Sequence, residues 1–158
     1  MNMRLNFLPT LMFLMTALSL SAQVEWRGGF PGRETDWQCA RNWSDNRVPN
    51  DMDDVMIPDC STRGNFYPEI RTKTARVQSL TLNNQARLTI AADAYLTVSG
   101  YGLPGGALLN LGTLENNGTI EVAEPMLHAI EYTGKGNLIH VMSNLQPDLC
   151  EVDCDLYR

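Results

Sequence analysis

The chain has 158 residues, with 12 basic and 18 acidic side chains and a formal net charge of −6. A chain of this length predicts one domain that buries its own hydrophobic core. Nucleic acid is a poor partner for it, because phosphate binding needs clustered Lys and Arg. The sequence has only two lysines, and its arginines are scattered. Composition and charge therefore favour a single acidic domain and argue against nucleic-acid binding.

Residues 1–22 have the composition of a secretory signal peptide. Their one charge is Arg4, an apolar stretch runs from Phe7 to Leu20, and small residues follow before Gln23. A membrane anchor is less favoured, because a spanning helix needs about 20 apolar residues and this stretch is shorter and contains Pro9. Cleavage beside Gln23 would leave a mature chain with a net charge of −7. We expect it to be secreted or held on the outer surface of a bacterium, with no transmembrane segment.

The four cysteines all lie in the expected mature chain, at Cys39, Cys60, Cys150 and Cys154. An even number of cysteines in an oxidising compartment predicts disulfides. Three pairings are open, and we favour Cys39–Cys60 and Cys150–Cys154. A zinc site is a weak alternative, because only Cys150 and Cys154 have a suitable spacing and no His is near them. Free buried thiols are the other alternative.

The middle of the chain contains a repeated pattern of the form x-Leu-Thr-aliphatic. Its copies are Ser79–Leu82, Arg87–Ile90 and Tyr95–Val98, and they begin eight residues apart. Two aliphatic residues flank a Thr in each copy, which is the period-2 alternation of a β-strand. A second repeat, Gly112-Thr113-Leu114 and Gly118-Thr119-Ile120, follows. The pattern predicts short strands joined by tight turns.

A shift of 24 or 25 residues aligns aliphatic positions along the chain. Three eight-residue units would form one coil of about 24 residues, with coils stacked strand over strand at about 4.8 Å. Residues 101–106 interrupt the alignment as an inserted loop. The fold class is therefore predicted as all-β, a short right-handed parallel β-helix, with an antiparallel β-sandwich as the alternative. The aligned pairs are Val55 with Leu80, Ile57 with Leu82, Ile90 with Leu114, Leu96 with Ile120, and Val98 with Val122.

The N-terminal part carries short motifs in a fixed order: Trp26-Arg27-Gly28, Asn42-Trp43-Ser44, Val48-Pro49, Asp53–Pro58 and Tyr67-Pro68. This series resembles the N-terminal region of secreted bacterial adhesin-like β-helix surface proteins, and the strand repeats continue the likeness through residue 122. The resemblance implies an extracellular β-helix start and no settled biochemical activity. Such proteins usually continue for hundreds of residues, so we expect a small relative or a truncated product.

The expected organisation is a signal peptide (1–22), an N-terminal cap with the first strands (23–70), β-helix coils (71–145) and a Cys-containing tail (146–158). A solenoid needs a cap, because the edge strands of its first coil are otherwise unpaired. Three tryptophans supply large apolar surface for such a cap. The alternative is a carbohydrate-binding platform. The residues of that candidate ligand site are Trp26, Trp37, Trp43 and Tyr67.

The acidic run at Asp51, Asp53 and Asp54 is the candidate metal site. Calcium takes six to eight oxygen ligands, often from alternating Asp in one loop. The alternative is a solvated loop whose carboxylates accept hydrogen bonds from nearby backbone N–H groups. Calcium is the one cofactor for which the sequence offers candidate ligands.

Catalytic signatures are weak in this sequence, so we predict no enzyme and no catalytic residues. His128 and His140 stand apart among aliphatic residues, where a half-buried, hydrogen-bonded His is the default expectation. The expected function is a secreted, non-enzymatic surface or matrix protein with a structural or binding role and a polysaccharide or cell-surface partner. The alternatives are a carbohydrate-binding module that uses the N-terminal aromatics, and a truncated β-helical polysaccharide-degrading enzyme.

Overall fold

The computed structural model of the protein describes residues 23–100, 107–123 and 131–141. These residues form eleven short strands and two 3-10 helices, Ala40–Asn42 and Ser61–Arg63, which confirms the all-β prediction. The strands Ser79–Leu82, Arg87–Ile90 and Tyr95–Val98 begin and end where the repeated pattern places them. In chain order the strands are β1 (Val24–Glu25), β2 (Asp54–Ile57), β3 (Glu69–Ile70), β4 (Ala75–Val77), β5 (Ser79–Leu82), β6 (Arg87–Ile90), β7 (Tyr95–Val98), β8 (Leu108–Asn110), β9 (Thr113–Asn116), β10 (Thr119–Ala123) and β11 (Asn137–Val141).

The strands form three sheets in which all strands pair in parallel. The sheet orders are β1-β2-β5-β8, β3-β6-β9 and β4-β7-β10-β11. From β2 to β10, successive strands belong to different sheets, so the chain passes through the three sheets in turn from β2 to β4, from β5 to β7 and from β8 to β10. The antiparallel sandwich is therefore wrong, because parallel neighbours need a crossover connection instead of a hairpin.

The strand register agrees with four of the five predicted alignments and differs from the fifth. Val55 lies opposite Leu80, and Leu96 lies opposite Ile120, as predicted. The predicted pairing of Ile90 with Leu114 is wrong by two residues, because Leu114 lies opposite Leu88. The offset between neighbouring strands falls from 28 residues at β5 and β8 to 26 at β6 and β9, and to 24 at β7 and β10.

Shorter turns explain this fall in the offset. Four residues separate β5 from β6, whereas two separate β8 from β9, and the next turn shortens in the same way. Each short turn has the sequence Asn-x-Gly-Thr, and the Asn side chain accepts a hydrogen bond from the Gly N–H at 3.1 Å. A Cβ on Gly112 or Gly118 would lie less than 2.5 Å from a backbone oxygen of the preceding coil. Glycine therefore permits a turn two residues shorter than the one beneath it.

The core lies between the three sheets and consists of alternate strand residues. Inward side chains such as Val55, Leu80, Leu88, Leu96 and Ile120 are almost completely inaccessible to solvent. Each buried aliphatic side chain of this size contributes about 1.5–3 kcal/mol relative to an exposed one. The sheets are consequently rigid supports for the side chains that alternate with these residues and point outward.

A cluster of three tryptophans, called here the cap cluster (Trp26, Trp37 and Trp43), lies in the N-terminal part of this core. All three are completely buried. Trp43 makes edge-to-face contacts with both of the others, at ring-centroid distances of 4.8 and 4.7 Å. The Trp43 indole N–H donates to the Trp37 carbonyl oxygen at 2.8 Å, and the Trp26 indole N–H donates to the Phe66 carbonyl oxygen at 2.7 Å. Their burial agrees with the interpretation of the tryptophans as a cap.

Candidate functional site

The tryptophans predicted as a sugar-binding platform present no open face. Trp26, Trp37 and Trp43 have no solvent-accessible surface, so this prediction is wrong for them. Tyr67 is half-buried; its hydroxyl donates to Asp59 Oδ1 at 2.8 Å and accepts from the Cys60 backbone N–H at 3.2 Å. These aromatics stabilise the cap and its loops, because they bury large apolar surface and because the polar atoms of Trp26, Trp43 and Tyr67 are hydrogen-bonded. The buried indole N–H of Trp37 has no hydrogen-bond partner among the described residues.

The three carboxylates predicted to bind calcium lie in different surroundings. Asp53 is 8% exposed and forms a bidentate pair with Arg47 at 2.5 and 2.6 Å, and it also accepts from the Asn50 backbone N–H. Asp54 accepts from the Ser79 hydroxyl at 2.5 Å, and Asp51 is exposed. Within the described residues, no group of three or more His, Cys, Asp or Glu side chains could hold a metal ion. The geometry matches the alternative in which the loop carboxylates cap turns.

Replacing Asp53 by asparagine is expected to destabilise the protein by about 1.5–3 kcal/mol near neutral pH, because hydrogen bonds to charged groups are lost. The bond from Arg47 holds the pKa of the Asp53 carboxyl below its usual range. The stabilisation is present above the unfolded pKa of about 3.9 and disappears as the pH falls through the lower folded value. Urea unfolding between pH 7 and pH 2 should therefore show the two proteins converging in acid, and a constant difference would contradict the assignment.

Cys39 and Cys60 are both buried free thiols, so the predicted Cys39–Cys60 disulfide is absent from the structure. Cys60 packs within the main hydrophobic core, whereas Cys39 is buried outside that cluster, at the start of the 3-10 helix Ala40–Asn42. Burial raises the pKa of the Cys60 thiol and makes it less reactive. Cys150 and Cys154 lie outside the described residues.

The expectation that His140 is half-buried and hydrogen-bonded is also wrong. His140 lies opposite Val122, at an inward position of the ladder, but its side chain is exposed on β11. The strand β11 is the last described strand of its sheet, so no described strand covers its outer edge. His128 lies outside the described residues.

The strongest candidate site is the outward surface of the sheet β4-β7-β10-β11. We call it the β7 face and define it by Asp51, Lys73, Arg76, Asp93, Tyr95, Thr97, Thr119 and Glu121, which line two neighbouring depressions of about 540 and 380 Å³. Parallel pairing places Arg76, Thr97 and Glu121 in one row across the sheet. Tyr95 and Thr119 form the adjacent row. Both depressions include Lys73 and Tyr95, so they form one continuous surface.

Tyr95 is the aromatic centre of the β7 face. Its hydroxyl donates to Glu121, which lies on the neighbouring strand and two residues beyond the residue directly opposite Tyr95. This diagonal hydrogen bond lays the ring along the sheet. The bond to Glu121, followed by partial burial, raises the pKa of the Tyr95 hydroxyl. The ring is therefore fixed in position, and its outward face lines the two depressions.

The positive charges of the β7 face have no counter-ions in the described part of the chain. Lys73 and Arg76 are exposed and form neither an ion pair nor a hydrogen bond with any described residue. Four other cationic side chains, Arg33, Arg47, Arg63 and Arg71, each contact a carboxylate, whereas Arg87 on β6 contacts none among the described residues. A ligand with negative groups could thus bind here without first breaking an internal ion pair.

A third depression, of about 570 Å³, lies beside the cap and is a weaker candidate. Its arginines, Arg33 and Arg71, are paired with Asp36 and Glu69 at 2.5 Å within the same surface. These charges already neutralise each other. The depression therefore offers less charge to an outside ligand than the β7 face does.

Among the β7-face residues, the sequence analysis singles out only Asp51 as a candidate site residue, and it does so for calcium. Tyr95 is the first residue of the third x-Leu-Thr-aliphatic copy, and the 24-residue offset that aligns β7 with β10 also places Thr97 opposite Glu121. Lys73 and Arg76 precede the repeats and belong to no motif. A search of outward positions along the correct register would have brought Arg76, Thr97 and Glu121 together, because parallel pairing stacks them in one row.

Comparison with known proteins gives one match. The family model described as a domain of unknown function, DUF8693, matches residues 25–125. This range includes the cap cluster and all strands from β2 to β10. No curated protein and no solved structure matches the chain. Among the described residues, no helix is long and apolar enough to cross a membrane.

Proposed function

The chain belongs to the DUF8693 family, whose function is unknown, and we propose that its sheets form a short right-handed parallel β-helix in a secreted, non-enzymatic surface or matrix protein. Its role is to bind a partner outside the cell through the β7 face. The single observation that carries this proposal is a rigid sheet surface with a fixed tyrosine beside two unpaired cations.

The order of the strands supports a β-helix. From β2 to β10 the chain visits the three sheets in a constant order, and strands of successive coils pair in parallel. A right-handed path is the one that parallel crossover connections almost always take. The buried tryptophans at the N-terminal end suit a cap for the first coil. The resemblance of the motif series to adhesin-like surface proteins adds independent support.

The partners of the carboxylates support a binding role over hydrolysis. Glycosidases generally use two carboxyl groups that face each other across the scissile bond. On the β7 face, Glu121 is held by Tyr95. Elsewhere Asp53 is held by Arg47, and Glu69 by Arg71. These carboxylates serve as structural acceptors, which supports a binding role for the β7 face.

Export of the full chain from a bacterial host tests the cellular part of this proposal. We expect the protein outside the cytoplasm, with Gln23 or Val24 as its first residue by mass spectrometry of the purified protein. The Leu14→Arg variant places a charge in the apolar stretch and should remain inside the cell as the uncleaved chain. Extracellular protein that still begins at Met1, or a Leu14→Arg variant exported as well as the wild type, would contradict the signal peptide.

A further inference from the structure

We propose that the β7 face binds an acidic polysaccharide, whose carboxylates contact Lys73 and Arg76 and whose sugar ring stacks on Tyr95. This inference rests on the proposed function, since such a polymer meets the protein only outside the cell. It goes further by naming the ligand class and the contacting residues.

Charge gives the first argument for an acidic ligand. Lys73 is one of only two lysines in the chain, and it lies on the same surface as Arg76. Both cations are exposed, and no described carboxylate contacts them. A carboxylate-bearing ligand would give each cation a charge-assisted hydrogen bond. The same depressions also contain the carboxylates of Asp51, Asp93 and Glu121, but none of them forms an ion pair with Lys73 or Arg76, so both cations remain available to a ligand.

The position of Tyr95 gives the second argument. Its ring is held along the sheet by the hydrogen bond to Glu121, and strands on both sides support it. A pyranose ring has an apolar face that buries well against a flat aromatic ring. Because Tyr95 is already fixed, a sugar that binds to it costs little side-chain entropy. The surface therefore combines a stacking ring with cations, as a charged sugar requires.

The shape of the surface gives the third argument. The two depressions share Lys73 and Tyr95 and follow the stacking direction of the strands. From β4 to β11 this direction covers about 14 Å, three spacings of about 4.8 Å. Thr97, Thr119 and Asn137 line the same path and offer hydroxyl and amide groups to sugar hydroxyls. An extended chain of a few sugar units fits this path better than a compact small molecule does.

Calorimetric titration of the purified mature protein with polygalacturonate tests the inference, with dextran as the neutral comparison. We expect binding of polygalacturonate at low salt, weaker binding at 0.5 M NaCl because ions screen exposed charges, and no binding of dextran. The double variant Lys73→Gln, Arg76→Gln should bind at least about tenfold more weakly. Tyr95→Ala should also bind weakly, whereas Tyr95→Phe keeps the ring but loses the bond to Glu121 and should bind more tightly than Tyr95→Ala and less tightly than the wild type.

The matched control is Arg87→Gln. Arg87 is an exposed cation on β6, in the neighbouring sheet, and no described carboxylate contacts it. We expect this variant to bind as the wild type does. Equal binding of dextran, no binding of polygalacturonate at low salt, or equal losses in Arg87→Gln and the double variant would overturn the inference. Circular dichroism of each variant checks that it is folded.

The outcomes for the ligand and for the cellular role can be separated. Titration uses purified protein and does not depend on export. Binding of polygalacturonate by a protein that cells do not export would overturn the proposed function and leave the site standing. An exported protein that does not bind polygalacturonate would overturn the acidic-polysaccharide site alone.

Discussion

Replacing Trp43 by alanine is expected to lower the free energy of unfolding by about 3–5 kcal/mol, the usual loss for a completely buried aromatic side chain. Trp43 lies between Trp26 and Trp37 and contacts both of them edge to face. The change also removes the hydrogen bond from its indole N–H to the Trp37 carbonyl oxygen. Since a whole domain is stable by only about 5–15 kcal/mol, a large part of the total stability depends on this side chain.

Urea unfolding followed by circular dichroism measures this loss. Trp43→Phe keeps part of the apolar surface and should lose less stability than Trp43→Ala. Met52→Ala is the surface control, because Met52 is 77% exposed and its replacement should change stability by less than about 0.5 kcal/mol. Equal midpoints for Trp43→Ala and Met52→Ala would show that the cap cluster does not stabilise the fold.

The strands could be predicted from the sequence because their pattern is local. Each x-Leu-Thr-aliphatic copy alternates buried and outward residues, and β5, β6 and β7 correspond to the three copies. The offset of β6 and β9 could not be predicted, because it depends on the lengths of two turns. A constant period of 24 residues does not anticipate that the Asn-x-Gly-Thr turns are two residues shorter than the turns of the coil beneath them.

The candidate site was harder to predict, because it consists of residues that are distant in sequence. Aromatic and acidic clusters such as Trp43 and Asp53 stand out in the sequence, yet the structure uses them for the core and for an internal ion pair. Composition cannot separate these roles, since a tryptophan suits a core as well as a binding surface. Tyr95 and Glu121 are ordinary strand residues until the register places them together.

Gly118→Ala is expected to destabilise the protein by about 3 kcal/mol, although it adds only one methyl group. A Cβ at this position would lie 2.4 Å from the Ala94 carbonyl oxygen and 2.5 Å from the Ala91 carbonyl oxygen. Hydrogen bonds hold both oxygens in place: Thr119 N–H donates to Ala94, and Ala94 N–H donates to Ala91. The preceding coil cannot move aside without losing these bonds, so the turn must shift outward.

Thermal and urea unfolding of Gly118→Ala, compared with Asn117→Ala, tests this explanation of the short turn. Asn117 is the exposed neighbour of Gly118, and its side chain donates a hydrogen bond to Glu115. Asn117→Ala removes only this bond and should lower the free energy of unfolding by about 0.5 kcal/mol or less. Alanine also restricts the unfolded chain, which on its own would stabilise the variant by about 0.4–1 kcal/mol. A Gly118→Ala protein as stable as the wild type would mean that the turn does not lie against the coil beneath it. Glycine would then not be required for the shortened Asn-x-Gly-Thr turn.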